Sequence, residues 1–394
     1  MKTGMNITDT IRYVGVDDAD LDLFESQYAV PRGISYNAYL IMDEKVAIMD
    51  TVDRRRAAEW WSHIAETLEG RTPDYLIVQH VEPDHAGCIG EVVERFPDVQ
   101  VVASARAAQM LSQFFRYPPL LERIMVVKEG DTLSLGRHTL QFVMAPMVHW
   151  PEVMVTYDWA DKVLFSADAF GTFGVLGGNI FDSAHGEVWP GEARRYYYNI
   201  CGKYGQPVQT LLKKVASLDV QRICPLHGPV LTDNLAYYMG LYDKWSRYEA
   251  ESDGVLIAYA SIHGCTARVA EIMAGMLRAR GVSEVRLIDL SRCDMSEAVT
   301  EAFRMARLVV AASSYDASVF PPMYDFLHHL RLKGYQNRRV GIIENGSWAP
   351  TAGRVMGELL AQMKGISIAE QMVTIRSTLQ PTDMPAMEAL ADAL

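Results

Sequence analysis

Apolar and polar positions follow two different rhythms along this chain. From residue 254 onward, short apolar runs at 255–260, 285–290, 308–312, 340–343 and 372–375 are separated by stretches of helical period. The first such stretch carries Val269, Ile272, Met273, Met276 and Leu277, spaced to form one stripe on a helix of 3.6 residues per turn. Strand–helix alternation at this spacing predicts a doubly wound parallel sheet. Before residue 250 the pattern is less regular. Runs at 35–41 and 46–50 flank Met42, Asp43, Glu44 and Lys45, which predicts a hairpin, and a helical stretch covers 57–68. A strand at 75–79 ends in a cluster of polar residues, and strand-like pieces follow at 139–144, 153–157, 162–166 and 222–224 with helices between. This is a mixed α/β layer arrangement that does not repeat the later half. The polar run Glu249, Ala250, Glu251, Ser252, Asp253, Gly254 reads as a linker, so the expected domains are 1–250 and 254–394.

Composition narrows the possible functions. The 394 residues are 49% hydrophobic and 22% charged, a globular composition long enough for two or three domains. The net charge of −12 lies entirely before residue 254: residues 254–394 carry 14 basic and 14 acidic side chains, the rest 23 and 35. An acidic chain of this kind disfavours a nucleic-acid backbone as partner. No run approaches the ~18 apolar residues of a membrane span, and the first six residues lead straight into polar sequence without the apolar core of a signal peptide. The five cysteines are an odd number, scattered, with no C-x-x-C pair. That spacing argues against a disulfide framework or a cysteine-ligated zinc or iron–sulfur site. The expectation is a cytoplasmic protein without membrane attachment.

The densest chemistry lies in Gln79, His80, Val81, Glu82, Pro83, Asp84 and His85, directly after a strand. Four ionisable side chains in six positions sit where α/β proteins place their reactive groups. Pro83 keeps the residue before it extended, so the run reads as a loop fanning its side chains inward, with a metal ion to offset their charge. The same residues also fit a solvated loop opening a helix, with Asp84 as its cap. Three further candidates follow later strands: His149 in Met147-Val148-His149-Trp150-Pro151, Asp168 after Val163-Leu164-Phe165-Ser166, and His227 after Ile223-Cys224-Pro225-Leu226. Each histidine alone also fits a core or capping role; with Asp168 poised to bridge, they read as one constellation.

These motifs resemble the metallo-β-lactamase fold, whose pattern is His-x-His-x-Asp-His followed by a distant His, Asp and His. Glu82 stands where the hydrolases carry their second histidine. That substitution, together with Trp150-Pro151 after His149, with Ser166-Ala167-Asp168-Ala169-Phe170 and with Pro31-Arg32-Gly33-Ile34-Ser35-Tyr36-Asn37, resembles the flavodiiron proteins over essentially the whole chain. The resemblance implies an N-terminal metallo-β-lactamase-like αββα sandwich followed by a flavodoxin-like doubly wound parallel sheet. It also implies two non-haem irons with an oxo or hydroxo bridge. One iron takes His80, Glu82 and His149, the other Asp84, His85 and His227, and Asp168 bridges them; Glu82 and Asp168 are the residues it places in catalysis. In some members the histidine at the position of His85 turns away and water takes its place. A carboxylate in place of an imidazole makes the donor set harder, which favours iron over zinc.

In the second half, Ser261-Ile262-His263-Gly264-Cys265-Thr266 lies between a strand and a helix start, where backbone N–H groups and hydroxyls can cradle a phosphate. No Lys follows the glycine, so this is not a nucleoside-triphosphate loop; an ordinary strand–helix turn is the other reading. The loop resembles the flavodoxin phosphate loop. Ser313-Ser314-Tyr315-Asp316 and Asn345-Gly346-Ser347-Trp348 follow the third and fourth strands, at the crevice where such a sheet binds FMN. Trp348 is the ring placed against the isoalloxazine, with a core tryptophan as the alternative.

By the same resemblance the protein is an oxidoreductase that reduces dioxygen to water, nitric oxide to nitrous oxide, or both, for detoxification. Its electron donor is a rubredoxin or another small carrier, since the chain lacks rubredoxin C-x-x-C pairs, with reduced deazaflavin as the alternative. The expected assembly is a head-to-tail homodimer or a dimer of dimers, bringing the FMN of one copy beside the irons of the other. Competing readings are a zinc-dependent hydrolase on the same fold, a nuclease, disfavoured by the acidic first half, and an electron carrier with an inactive metal domain, disfavoured because every ligand position is filled.

Overall fold

The computed structural model describes residues 5–186 and 188–394. The chain divides into two compact units between Asp243 and Lys244.

In the first unit, seven strands lie side by side in the order β1 (Met5–Asn6), β2 (Ile11–Tyr13), β3 (Tyr39–Met42), β4 (Val46–Met49), β5 (Tyr75–Val78), β6 (Gln100–Ser104), β7 (Ile124–Val127). A second sheet runs β8 (Thr132–Ser134), β9 (Thr139–Met144), β10 (Met154–Asp158), β11 (Val163–Phe165), β12 (Arg222–Cys224). One apolar core joins the sheets, with Tyr39, Ile41, Met49 and Ile77 from the first and Phe142, Met154 and Phe165 from the second. Side chains alternate across a strand, and β5 also buries Leu76 and Val78 on its other face, so the first sheet is covered on both sides. Helix α1 (Ala57–Leu68) buries Trp60, Ile64 and Leu68, four residues apart, and packs on β3; α2 (Ala105–Phe114) packs on β6 and β7.

The hairpin falls as the sequence predicts, with Met42 paired to Val46. The single strand predicted over 35–41 is instead two. Ile34–Tyr36 pairs with Val16–Asp18 in a separate ribbon, and the chain enters the large sheet only at Tyr39. Asn37 is the reason. Its buried side-chain amide donates to the carbonyls of Pro225 (2.8 Å) and Gly228 (2.7 Å), and its backbone N–H to that of Leu226 (2.8 Å). A residue whose apolar neighbours predict strand is thus diverted to satisfy the loop around His227.

The second unit is a parallel sheet of β13 (Ser252–Ala260), β14 (Val285–Asp289), β15 (Met305–Tyr315), β16 (Arg339–Asn345), β17 (Ser367–Ile368) and β18 (Val373–Ile375). The order is β14-β13-β15-β16-β17, with β18 also beside β16, and every pair among these six is parallel. The chain steps outward from β13 in both directions, so a crevice opens beyond the carboxyl ends of β13 and β15. Helix α3 (Cys265–Ala279) lays the predicted stripe on the sheet, with Val269, Met273 and Leu277 buried. The polar run at 249–254 is not a free linker. Ser252 already pairs with Met305, its hydroxyl donates to Glu284, and Glu284 accepts from Arg304. Its charged and hydroxyl groups have partners within the second unit, which composition alone does not reveal.

Ile257 is fully buried in the central strand β13. Ile257→Ala is expected to destabilise the second unit by ~2–5 kcal/mol, read from urea unfolding; a loss below ~0.5 kcal/mol would contradict this packing.

Candidate functional site

The first site is assembled at the ends of β5, β9, β11 and β12. Where β5 ends, the turn at Gln79 and His80 is held by Asp50, the residue after β4, which accepts from the Gln79 backbone N–H (2.8 Å) and side-chain amide (2.8 Å). Burial pushes the Asp50 carboxyl up to about 6, against the pull of these hydrogen bonds. Glu82 is extended (φ −59°, ψ 139°), but Pro83 then opens a single helical turn, Pro83–Ala86, instead of continuing the predicted loop. Proline suits the first helical position, where its missing N–H has no partner to lose. The capping alternative for Asp84 fails as well, because among the described residues neither of its carboxylate oxygens has a hydrogen-bond partner.

His149, Asp168 and His227 follow β9, β11 and β12, and the structure brings all seven predicted side chains together. His149 Nε2 lies 3.1 Å from Glu82 Oε2 and 2.9 Å from Asp168 Oδ2, and His80 Nε2 lies 3.1 and 3.3 Å from the same two atoms. Across the site, His85 Nε2 is 3.2 Å from Asp168 Oδ1, 3.4 Å from Asp84 Oδ2 and 3.0 Å from His227 Nε2. His227 Nε2 is 3.3 Å from Asp84 Oδ2 and 3.8 Å from Asp168 Oδ1. Asp168 therefore offers one oxygen to each of two donor sets. His85 faces the centre.

The chemistry of this donor set fits a pair of cations. Among the described residues, the ion-pair partners of Glu82, Asp84 and Asp168 are all imidazoles. Both oxygens of Asp84 and Oδ1 of Asp168 are buried without a hydrogen-bond donor. Buried carboxylates in this condition are costly unless protons or metal ions offset them. The Nε2 atoms of His85 and His227 lie 3.0 Å apart, close enough for both to face one cation.

Sequence reasoning missed the supports behind these ligands. His80 Nδ1 is 2.7 Å from Glu152 Oε1, and His227 Nδ1 is 2.7 Å from the Ser35 carbonyl. Ser35 and Asn37 belong to the 31–37 motif noted above, but nothing local to them signals a role at residue 227. A third group of His138, Asp158 and Asp161 also has metal-ligand spacing. It needs no cation, because Arg137 pairs with Asp161 and donates toward His138 Nε2 (3.2 Å), while Asp158 accepts from the Ala160 and Asp161 N–H groups.

In the second unit, a cavity of about 580 Å³ opens at the crevice beyond β13 and β15. Every residue singled out in the three loops lines it except Gly264, and Ala317, Ala349, Thr351 and Ser377 join them. Gly264 instead precedes α3 with φ +89°, a left-handed conformation that glycine adopts without strain. The N-terminus of α3 and the hydroxyls of Ser261, Thr266 and Ser313 lie together, with Thr266 Oγ1 3.0 Å from Ser313 Oγ. Asn345 exchanges two hydrogen bonds with the Ser377 backbone. Ser377 follows β18, so the strand-end rule that found the other loops would have found it. Trp348 is 90% exposed, which overturns the core-tryptophan alternative.

A metal ion at the first site would compete with protons. In the metal-free protein, burial works against a charged His149, yet the carboxylates of Asp168 and Glu82 raise it from 6.5 to about 9. Burial likewise opposes a charged Glu82, but His149 and His80 push it down to about 2. The His149 contribution to stability is complete below its unfolded value of 6.5 and lost as pH rises through about 9. The Glu82 contribution is present above 4.5 and lost as pH falls toward about 2. Metal must displace the imidazole proton. Metal-free protein is therefore expected to melt at lower temperature at pH 9 than at 6.5, while metal uptake, read by chelator competition, strengthens over the same interval; uptake independent of pH would contradict this.

Residues 34–228 match a family described as "ODP family beta lactamase". A putative diflavin flavoprotein from Synechocystis is 33% identical over 84% of this chain, which spans 56% of that protein's length. The anaerobic nitric oxide reductase flavorubredoxin of Salmonella paratyphi B is 28% identical over 97% of this chain and 79% of its own. Among solved structures, the rubredoxin oxygen:oxidoreductase of Desulfovibrio gigas superposes with a TM-score of 0.93 at 26% identity, covering 99% of this chain and 97% of the other. A variant of the flavo di-iron protein from Thermotoga maritima gives 0.90 at 25% identity, with 99% and 97% covered. The first unit is thus metallo-β-lactamase-like and the second flavodoxin-like, and the chain belongs to the flavodiiron protein family.

Proposed function

We propose that this protein is a gas reductase that converts dioxygen to water, nitric oxide to nitrous oxide, or both, using two irons in the first unit and FMN in the second. The observation that carries the reading is Asp168, whose two oxygens face two separate histidine–carboxylate sets. His80, Glu82 and His149 would hold one iron, Asp84, His85 and His227 the other, and Asp168 would serve both. Three carboxylates make the set hard enough to favour iron over zinc. When bound, the irons supply a binding place and electrons for the gas, and FMN supplies them with electrons from outside.

The chain's own residues set the conditions for this chemistry. Glu82, Asp84 and Asp168 bring negative charge that favours the oxidised metals. Burial of His80, His85 and His227 keeps bulk water from the ligands. In the second unit, the N–H groups at the start of α3 and the hydroxyls of Ser261 and Thr266 would receive the FMN phosphate, and Trp348 would lie against its ring. Dioxygen needs four electrons and four protons to become two waters; two nitric oxides need two of each to become nitrous oxide and water.

The names of the relatives support both substrates and a rubredoxin as donor. A head-to-tail homodimer is the proposed assembly, supported by the exposed Trp348 at the cavity rim, which suits a covering surface. The five free cysteines support a cytoplasmic location. Among the described residues, no helix is long and apolar enough to cross a membrane.

Protein purified without air is expected to consume dioxygen or nitric oxide when supplied with a chemically reduced rubredoxin, without accumulating hydrogen peroxide. Asp168→Asn is expected to reduce both iron content and turnover to background. Bound zinc, no flavin and hydrolytic turnover would overturn the proposal.

A further inference from the structure

The two donor sets are not equivalent, and the difference lies behind one histidine. Glu152 is fully buried, with Oε1 placed 2.7 Å from His80 Nδ1 and 3.0 Å from the Val81 N–H. Its other oxygen, Oε2, is buried with no hydrogen-bond partner. The residue is fixed from its backbone, because Ser104 at the end of β6 donates its hydroxyl to the Glu152 carbonyl (2.8 Å). The other three imidazoles have nothing comparable. His227 Nδ1 meets only a backbone carbonyl, and among the described residues His85 Nδ1 has no hydrogen-bond partner. Among the described residues no carboxylate pairs with Nδ1 of His149 either, and its ion pairs run from Nε2. Asp50, the other buried carboxylate nearby, bonds only to backbone N–H groups and the Gln79 amide.

We infer that Glu152 is a positioning residue that fixes the tautomer of His80 and makes it the strongest imidazole donor of the site, so that the two metals differ in affinity and potential. The inference rests on the metal-pair reading above. With Nδ1–H donated to Glu152, the Nε2 lone pair must point at Glu82 and Asp168, where the metal belongs. A full negative charge on that hydrogen bond pushes electron density into the ring, which raises ligand basicity and favours the oxidised metal. The metal held by His80, Glu82 and His149 is therefore the harder of the two to reduce. A backbone carbonyl behind His227 gives a weaker push.

The test uses the full-length holoenzyme loaded with 57Fe. Glu152→Gln keeps the size of the side chain and one oxygen acceptor but removes the charge. It is expected to leave one Mössbauer doublet unchanged and shift the other, and to weaken the affinity of that one iron by about 10–100-fold against a chelator. The reduction equilibrium of the same iron is expected to move about tenfold toward the reduced form, ~59 mV for one electron. Asp50→Asn, which alters the turn but not the imidazole, is expected to shift neither doublet selectively. Should Glu152→Gln not fold, 15N-histidine NMR of the zinc-loaded wild-type protein decides. One Nδ1–H proton is expected far downfield and slow to exchange, unlike those of the other three histidines. Unchanged doublets and affinities, equal shifts of both irons, or four alike Nδ1 environments would overturn the inference. A wild-type chain that holds no metal pair at all would instead overturn the reading on which it rests.

Discussion

Three carboxylates and four imidazoles converge on one buried place at the strand ends of the first unit, and no lysine or arginine pairs with those carboxylates among the described residues. This concentration of charge is the constraint that the surrounding structure serves. Imidazolium partners offset it in the metal-free chain, as the raised His80, His85 and His149 show against the opposing effect of burial. Metal ions would offset it as well, and would also satisfy the oxygens of Asp84 and Asp168 that lack a hydrogen-bond partner among the described residues. The contrast with His138, Asp158 and Asp161 is instructive: equal spacing there is neutralised by Arg137 and backbone N–H groups, and the group needs nothing further.

Much of the layout around the site follows from that constraint. Asp50 secures the turn that presents His80, Asn37 and Ser35 secure the loop that presents His227, and Pro83 starts the turn that presents Asp84 and His85. These supports come from segments far apart in the chain, and they converge because the two sheets share one core. The second unit is simpler. Its cavity lies where a doubly wound sheet must open, and the loops that line it follow directly from the strand ends.

Those differences explain what was legible in the sequence. The helix at 57–68, the α3 stripe, the parallel strands and the strand-end loops are local patterns, and local patterns can be read one segment at a time. The convergence of the seven side chains was legible because each follows a strand and because their residue types are unusual in such positions. The break at Asn37 was not, since the groups that divert it lie near residue 225. The turn at Pro83–Ala86 is four residues long, too short to show a period. Glu152 reads in sequence as an ordinary charged residue after a proline; only the fold brings it to His80. The polar run at 249–254 has the composition of a linker, but its partners lie far along the chain, Glu284 just before β14 and Met305 at the start of β15.

The central claim is that two irons sit on either side of Asp168. Anomalous diffraction at the iron edge, from crystals of protein purified without air, tests it most directly. Two iron peaks are expected, one among His80, Glu82 and His149 and one among Asp84, His85 and His227, with an oxygen of Asp168 directed at each. A single peak, no peak at the iron edge, or peaks that appear only at the zinc edge would contradict it.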